Sequence, residues 1–299
     1  MDWKRIESRL EEYAKLMRLD KPIGTVLLLW PTLWALWLSS EGRPGWAWIW
    51  IFSLGTLLMR SAGCIMNDIA DRNFDPHVER TRDRPLAARR VSLREAIILT
   101  LFLCLAALLL ILPIASRLML FLAAIAVFLA FSYPFTKRFF AIPQAYLGVA
   151  FGFGIPIAYA SQLGRVPLEG WILLAANIFW AIAYDTEYAM VDRPDDQKLG
   201  LKTSAITFGR FDVLAIMFCY FASFVLIAWV GQVSGLKWFF RGSLLFALLL
   251  SLYHYCLIQK RQGPDCFRAF LHNHWIGLVI FLGIALDYLA RGVRPPLFD

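Results

Sequence analysis

The chain has 299 residues, of which 59% are hydrophobic and only 17% are charged, and its formal net charge is +8. Its mean hydropathy of +0.58 excludes an ordinary soluble protein and indicates one that resides in a membrane. The basic excess suits the anionic headgroups of a lipid bilayer better than nucleic acid, and no folded soluble domain is visible.

The first predicted element is an amphipathic helix within residues 1–21. Apolar residues recur there at helical spacing among Lys, Arg and Glu: Trp3, Ile6, Leu10, Tyr13, Leu16 and Met17. This pattern is typical of a helix that lies in the membrane interface. Charges run through the whole segment and no short apolar core with a cleavage site follows, so a signal peptide is not indicated.

Nine apolar runs follow, each close to the length of about 20 residues that crosses a bilayer. They cover residues 22–40, 46–65, 96–116, 118–135, 142–160, 171–190, 213–230, 239–257 and 275–290. The predicted fold is therefore an all-α membrane protein, with residues 1–21 as an interfacial helix and residues 22–299 as a single domain of nine transmembrane helices.

The basic residues predict the orientation of these spans. With nine spans, 22 Lys and Arg residues fall on the side of the N-terminus and 7 on the opposite side. Because positively charged loops favour the cytoplasm, we expect a cytoplasmic N-terminus and a C-terminus on the other side.

A first acidic cluster follows the second span and consists of Asn67, Asp68, Asp71 and Asp75. If the helix continues past Asn67, residues 67, 71 and 75 share one face, and Asp68 lies three positions before Asp71. Like charges at this spacing repel unless a cation lies among them, and oxygen ligands alone suit Mg²⁺. The alternative is a solvated acidic helix end, although acid at a helix C-terminus opposes the macrodipole.

A second acidic cluster lies at the corresponding end of the sixth span. It contains Asp185, Glu187, Asp192, Asp195 and Asp196. The four-residue step from Asp192 to Asp196 favours one helical face. Pro194 favours the other path, in which Asp192 ends the helix and Asp195 and Asp196 begin a new turn. Alone this segment also fits a capped loop, but two such clusters on one side favour paired metal sites.

Basic residues accompany both clusters. They are Arg80, Arg82 and Arg84 after the first cluster, Lys137 and Arg138 shortly after Tyr133, and Lys198 and Lys202 after the second. Such residues suit phosphate groups, although each also serves the charge bias of the loops. Arg60 differs because it lies about two turns inside the second span, where an ionisable residue is costly and is a functional candidate.

These residue types suit the ionisation of an allylic diphosphate. Two Mg²⁺ ions between opposed carboxylates neutralise the leaving group, and the allylic carbocation is then attacked by an electron-rich phenol ring. Aromatic faces can shield the cation, and the candidates are Trp30, Trp34, Phe151 and Phe153. Any one of them also fits packing or an interfacial aromatic belt.

The segment Asn67-Asp68-Ile-Ala-Asp71-Arg-Asn-Phe-Asp75 resembles the NDxxDxxxD motif of the UbiA-type intramembrane prenyltransferases, and Asp192 to Asp196 resembles their DxxxD motif. Further segments are similar to the 4-hydroxybenzoate polyprenyltransferase branch: 18–24, Tyr133-Pro-Phe-Thr-Lys137-Arg138, 143–159 and 184–190. The resemblance runs from about residue 10 to residue 290. Pro194 departs from the polar or acidic residue usual at that position.

The resemblance implies nine helices around a central cavity that is capped on the cytoplasmic side and opens laterally to lipid. It also implies roles. Asn67, Asp71 and Asp75 would hold one Mg²⁺, with Asp68 in support, and Asp192 and Asp196 would hold the other. Diphosphate would contact Arg80, Arg84, Lys137 and Lys202, and the neighbouring Arg138 and Tyr133 belong to the same substrate-binding set. Arg60 would point into the cavity and bind the acceptor carboxylate.

The implied substrates are a polyprenyl diphosphate and 4-hydroxybenzoate, and the implied product is 3-polyprenyl-4-hydroxybenzoate, an early intermediate of ubiquinone synthesis in a bacterial inner membrane. Dihydroxynaphthoate is an alternative acceptor. No nucleic acid and no obligate protein partner is expected.

Two other classes of membrane protein compete with this interpretation. A cation-coupled transporter also carries intramembrane charge, but its charges lie near the bilayer centre, whereas these acids gather at one interface. Gly148 and Gly152 fit close helix packing rather than a broken transport helix. A phosphatidyltransferase would need a DGxxAR-type motif, which the sequence lacks.

Overall fold

A computed structural model describes residues 3–293, apart from the side chain of Arg5, and the regular structure in that range is helical. Its α-helices are α1 (Trp3–Leu16), α2 (Ile23–Ser39), α3 (Trp46–Asp71), α4 (Leu93–Ile111), α5 (Arg117–Thr136), α6 (Pro143–Gly152), α7 (Gly154–Leu163), α8 (Leu168–Lys198), α9 (Ser204–Phe208), α10 (Asp212–Val233), α11 (Trp238–Ile258) and α12 (Gly263–Ala290). The described residues do not include the outer ends of the predicted regions 1–21 and 22–299. They also do not include Arg294, one of the basic residues used to predict the orientation.

Seven segments within residues 3–293 are long and apolar enough to cross a membrane. They are α3, α4, α5, α6 with α7, α9 with α10, α11 and α12. The other two predicted spans coincide with α2, which has only 17 residues, and with α8, whose 31 residues include the second acidic cluster. The all-helical, multi-span fold is confirmed, whereas the count of nine spans stays a prediction.

The N-terminal helix α1 is tied to the start of α4. Ser92 and Glu95 form a reciprocal capping box at the first turn of α4. The same Glu95 carboxylate accepts a hydrogen bond from Tyr13 at 2.8 Å and pairs with Arg9. These contacts hold α1 against the loop that joins α3 and α4, beside the first acidic cluster.

Small residues let α6 approach α8 closely, as predicted from the sequence. A Cβ atom added at Gly148 would lie 2.8 Å from the Cα atom of Ile178, and one added at Gly152 would lie 2.5 Å from Nδ2 of Asn177. Asn177 also donates a hydrogen bond to the carbonyl oxygen of Gly148 at 2.9 Å. The two helices are therefore in backbone contact, which fixes one wall of the interior.

A buried polar network fixes α8 against α10, α11 and α12. Glu187 accepts hydrogen bonds from Tyr220 at 2.9 Å and from Asn273 at 2.8 Å. Trp180 donates to Asn273 at 2.9 Å, and Tyr220 is also bonded to Nδ1 of His254 at 2.9 Å. Glu187, predicted as part of the second acidic cluster, thus contributes to helix packing.

Two local predictions about the acidic clusters need correction. The helix of the second span does not continue to Asp75: α3 ends at Asp71, and Asp75 begins a 3₁₀ turn, Asp75–His77. In a continued α-helix, Pro76 would have no N–H group for the carbonyl oxygen of Arg72 and its ring would clash with that carbonyl, which accounts for the end of α3 before residue 76. In the second cluster, the path in which the helix ends at Asp192 is wrong, because α8 runs through Pro194 to Lys198. Asp192 and Asp196 therefore lie one helical turn apart.

Candidate functional site

A central cavity of about 1370 Å³ lies between α2, α3, α4, α5, α8 and α12. Its apolar wall is formed largely by α4 and α5, with small residues such as Ala123, Ala126 and Ala130. Its polar end is lined by members of both acidic clusters and by basic residues from the loops. One continuous space thus joins a charged end to an apolar channel.

At the first cluster, an arginine bridges the break after α3. Asp68 is 1% exposed and accepts hydrogen bonds from Arg18, at 2.8 and 3.0 Å, and from Arg84, at 3.1 Å. Arg84 also donates to both carboxylate oxygens of Asp75, at 3.2 and 3.0 Å. Although burial disfavours its charge, Asp68 and Asp75 outweigh that effect and raise the pKa of Arg84. Arg84 therefore stays charged and holds Asp75 beside Asp68.

The remaining members of the first cluster lie next to a lysine from the following loop. Nδ2 of Asn67 donates to Oδ2 of Asp71 at 3.3 Å, and Nζ of Lys137 is 3.8 Å from the same oxygen. Asn67 and Lys137 line the cavity, whereas Asp71 and Asp75 stand just behind its lining. The predicted grouping of these residues at one end of the bundle is observed.

In the second cluster, Asp192 pairs with Arg80 from the loop that follows the first cluster. Its guanidinium donates two hydrogen bonds to Asp192, at 2.9 and 2.5 Å, and lies 4.6 Å from the ring centre of Tyr188. Asp192 and Asp196 both line the cavity. Asp195 instead pairs with Lys198 at 3.2 Å and is outside the lining. The cavity thus includes Asp196, the residue that the DxxxD spacing favours, and not its neighbour Asp195.

Not every predicted phosphate-binding residue reaches the cavity. Tyr133, Lys137, Arg80 and Arg84 line it. Arg138 donates to the carbonyl oxygen of Ala70 at 3.3 Å and packs over Phe74 and Phe135, outside the lining. Lys202 donates to the carbonyl oxygen of Phe139 at 3.2 Å and is also outside the lining. Arg138 thus binds the backbone at the end of α3, and Lys202 binds the backbone between α5 and α6.

Arg60 points into the cavity, as predicted. Its guanidinium lies 5.3 Å from the ring centre of Phe151. Within residues 3–293, this guanidinium makes no hydrogen bond or ion pair with protein atoms. It is therefore a charged donor group that faces a cavity without a partner of its own.

The aromatic candidates divide into two pairs. Phe151 and Phe153 line the cavity. Trp34 instead is fully buried against Trp180, with ring centres 5.3 Å apart, and Trp30 stacks on Phe281 at 5.6 Å. Trp30 and Trp34 are outside the cavity lining and pack α2 against other helices, which is the alternative that the sequence left open for each of these aromatics.

Three cavity residues were missing from the predicted site. Arg18 pairs with Asp68, and Asp185 lines the cavity about two turns before the DxxxD segment. Tyr184 is 1% exposed and lines the same cavity, and its hydroxyl group has no hydrogen-bond partner among residues 3–293. The acidic pattern already contained Asp185, whereas the unpaired hydroxyl of Tyr184 is visible only in the fold.

The donor atoms at the polar end suit Mg²⁺. They are oxygen atoms of Asn67, Asp71, Asp75, Asp192 and Asp196, and the hydrogen bond from Nδ2 of Asn67 leaves its amide oxygen available as a ligand. Among the residues that the structure describes, no three His, Cys, Asp or Glu side chains converge closely enough to hold a metal alone. An open oxygen site of this kind suits an ion that shares its coordination with water and substrate phosphates.

Comparison with known proteins agrees with this geometry. Residues 28–277 match the model of the UbiA prenyltransferase family. The chain is 62% identical to a 4-hydroxybenzoate octaprenyltransferase of Thiobacillus denitrificans, over 96% of this chain and 97% of the relative. It is 59% identical to a 4-hydroxybenzoate octaprenyltransferase of Dechloromonas aromatica, over 98% and 99% of the two chains.

Solved structures share the fold. A UbiA homologue from Aeropyrum pernix superimposes with a TM-score of 0.77 at 24% identity, covering 88% of this chain and 97% of that one. A UbiA homologue from Archaeoglobus fulgidus bound to GPP and Mg²⁺ gives a TM-score of 0.70 at 17% identity, covering 93% and 99%. At these identities the likeness concerns the helical architecture.

Proposed function

Since the chain belongs to the UbiA prenyltransferase family, we propose that it transfers a polyprenyl group from polyprenyl diphosphate to 4-hydroxybenzoate. The new bond forms at the ring carbon ortho to the hydroxyl group, and diphosphate is released. This is the reaction expected early in ubiquinone synthesis. The observation that carries the proposal is the central cavity, which joins a charged end to an apolar channel.

The charged end suits the diphosphate. Asn67, Asp71 and Asp75 would hold one Mg²⁺ ion, and Asp192 and Asp196 would hold a second. When bound, these ions would neutralise the diphosphate and stabilise it as a leaving group. Lys137, which lines the cavity beside Asp71, supplies a further positive charge to the phosphate oxygens.

Arg80 and Arg84 serve two purposes in this proposal. Each now pairs with carboxylates, Arg80 with Asp192 and Arg84 with Asp68 and Asp75. Both also line the cavity. A diphosphate that enters the polar end competes for these guanidinium groups, which then bind phosphate oxygens and leave carboxylate oxygens for cations.

The apolar channel suits the prenyl tail, and Arg60 suits the acceptor. As the C–O bond to diphosphate breaks, the ortho carbon of the phenol forms a C–C bond to the allylic carbon, and the ring then loses its proton. The unpaired guanidinium of Arg60 is the group we assign to the acceptor carboxylate, because Arg binds carboxylates in a bidentate manner. Tyr184 offers a second, uncharged donor in the same cavity.

The proposed enzyme is an integral membrane protein of the bacterial inner membrane with nine spans, a cytoplasmic polar end and a cytoplasmic N-terminus. The excess of Lys and Arg in the loops of that side supports the orientation. Reporter fusions at the loops 199–203 and 234–237 test it, since the first is expected in the cytoplasm and the second outside. The reverse pattern of reporter activity contradicts the orientation.

The central experiment is a membrane assay with geranyl diphosphate and radiolabelled 4-hydroxybenzoate, with Mg²⁺ or with EDTA. We expect label in an organic-extractable product with Mg²⁺ and none with EDTA. If dihydroxynaphthoate is prenylated and 4-hydroxybenzoate is not, the reaction class stands and the acceptor is wrong. Activity that persists in EDTA contradicts the metal assignment.

Arg60→Ala tests the acceptor assignment. A charge-assisted hydrogen bond contributes about 1.5–3 kcal/mol, so we expect the KM for 4-hydroxybenzoate to rise at least about tenfold. The KM for geranyl diphosphate should change far less. A larger effect on the diphosphate than on the acceptor would refute the assignment.

A further inference from the structure

Gly24 lies against the guanidinium of Arg60. A Cβ atom added at Gly24 would stand 2.4 Å from Nη2 of Arg60, 2.6 Å from Nε and 2.8 Å from Cζ. These separations are shorter than any van der Waals contact, so a side chain at residue 24 and the present position of this guanidinium exclude each other. Gly24 lies in the first turn of the apolar helix α2 and lines the central cavity.

No backbone requirement explains a glycine at this position. Gly24 is absent from the glycines with positive φ, which are Gly42, Gly164, Gly200, Gly209, Gly235 and Gly292. It is the second residue of a helix, and alanine has a higher helix propensity than glycine. The atoms that its missing side chain leaves room for belong to Arg60.

Phe151 contacts the same guanidinium from α6. Its ring centre lies 5.3 Å from Cζ of Arg60, within the range of a cation–π interaction. Phe151 and Gly24 thus contact one guanidinium from two different helices. That guanidinium has no polar partner in the described part of the chain. An arginine on a long flexible stem is otherwise free to adopt many rotamers in a cavity of this size.

We infer that Gly24 and Phe151 are positioning residues that set the acceptor specificity of the enzyme by fixing the guanidinium of Arg60 toward carboxylate-bearing aromatic acceptors. This inference rests on the proposed function and extends it to residues that act on the acceptor through the guanidinium of Arg60. Because the atoms that would clash are the far end of a flexible side chain, Gly24→Ala displaces the guanidinium rather than the helices. The fold should therefore tolerate the substitution.

The test compares Gly24→Ala with Gly242→Ala in the full-length protein. Gly242 lies near the start of α11, and a Cβ atom added there meets no atom within 4 Å. We expect Gly24→Ala to raise the KM for 4-hydroxybenzoate at least fivefold, while the KM for geranyl diphosphate stays within twofold of wild type. Gly242→Ala should leave both constants within twofold. Equal constants for the two variants would overturn the inference.

A double variant separates this inference from the proposed function. In the Arg60→Ala background, Gly24→Ala should raise the acceptor KM no further, because the group that it displaces is absent. Additive effects mean that Gly24 acts on the acceptor by another route, which overturns the inference alone. If Arg60→Ala itself leaves the acceptor KM unchanged, the proposed role of Arg60 fails first.

Phe151→Leu provides a second variant in case Gly24→Ala does not accumulate in the membrane. It removes the aromatic face and keeps an apolar side chain, so it should also raise the acceptor KM and spare that of the diphosphate. An unchanged acceptor KM, with Arg60→Ala impaired, contradicts the positioning role of Phe151.

Discussion

Asn273→Ala is expected to destabilise the helical bundle substantially. The Asn273 side chain accepts hydrogen bonds from Trp180 and Tyr220, both at 2.9 Å, and donates to Glu187 at 2.8 Å and to the carbonyl oxygen of Ala269 at 3.1 Å. The first three bonds join α12 to α8 and α10. Alanine at position 273 therefore removes the centre of a network that connects three helices.

The loss in the free energy of unfolding depends on which polar groups keep a hydrogen-bond partner. Tyr220 has one hydroxyl proton, which Asn273 and Glu187 share. The substitution therefore removes two full interhelical hydrogen bonds, which at about 0.6 kcal/mol each contribute about 1 kcal/mol. Tyr220 can still donate to Glu187 at 2.9 Å. The indole N–H of Trp180 and one oxygen of Glu187 are stranded, and such groups cost about 1–3 kcal/mol each. We expect the free energy of unfolding to fall by about 2–5 kcal/mol, because relaxation of the helices recovers part of that cost.

Thermal unfolding in detergent measures this loss. At about 2–4 °C per kcal/mol, a loss of about 2–5 kcal/mol should lower the apparent Tm by roughly 4–20 °C. Asn73→Ala is the matched control, because Asn73 is exposed in the turn after α3 and should change stability by less than about 0.5 kcal/mol. A Tm for Asn273→Ala within about 2 °C of that control would refute the reasoning.

Three further predictions concern α8 and the cavity. Asp192→Asn should lower the rate of prenyl transfer at least about 100-fold, because it removes a charge-assisted contact made at the leaving group. Asp195→Asn is the control, since Asp195 is outside the cavity lining, and its rate should stay within twofold of wild type. Similar rates for the two variants contradict the assignment of Asp192 to the metal site. Tyr184→Phe removes an unpaired hydroxyl group from the cavity. It should raise the KM for the acceptor about fivefold, which corresponds to one neutral hydrogen bond of about 1 kcal/mol. An unchanged KM excludes a hydrogen bond between Tyr184 and the acceptor. Pro194→Ala restores a backbone N–H group that can donate to the carbonyl oxygen of Met190 within α8. The apparent Tm should therefore rise, and activity should be retained. A lower Tm would mean that Pro194 stabilises this turn of α8.

The break after α3 illustrates a limit of periodicity. Four-residue steps correctly grouped Asn67 with Asp71 on one helix, but they also extended that helix to Asp75. Pro76 ends the pattern, and the sequence contained that signal. What the sequence did not contain is the bridge from Arg84 to both Asp68 and Asp75, which returns Asp75 to the cluster after the chain has turned.

Choices among neighbouring residues also depended on the fold. The DxxxD spacing favoured Asp196, whereas Pro194 left Asp195 as an alternative, and only Asp196 lines the cavity. Arg138 and Lys137 are adjacent, yet Arg138 packs over Phe74 and Phe135 whereas Lys137 faces the interior. Adjacent residues on a helix or turn point in different directions, and the packing of other helices decides which direction is the cavity.

The sequence by itself determined the helical class, the membrane setting, the two acidic clusters and the candidacy of Arg60. Each follows from a local property, since a backbone in lipid must satisfy its hydrogen bonds within a helix and a charge inside a span is costly. The tertiary structure alone decided that Gly24 from α2 and Phe151 from α6 meet Arg60 from α3, and that Asn273 joins α8, α10 and α12. Such contacts depend on how helices that are distant in the sequence pack against each other. The side chains that meet where two helices cross do not recur at a regular spacing, so a sequence pattern does not reveal them.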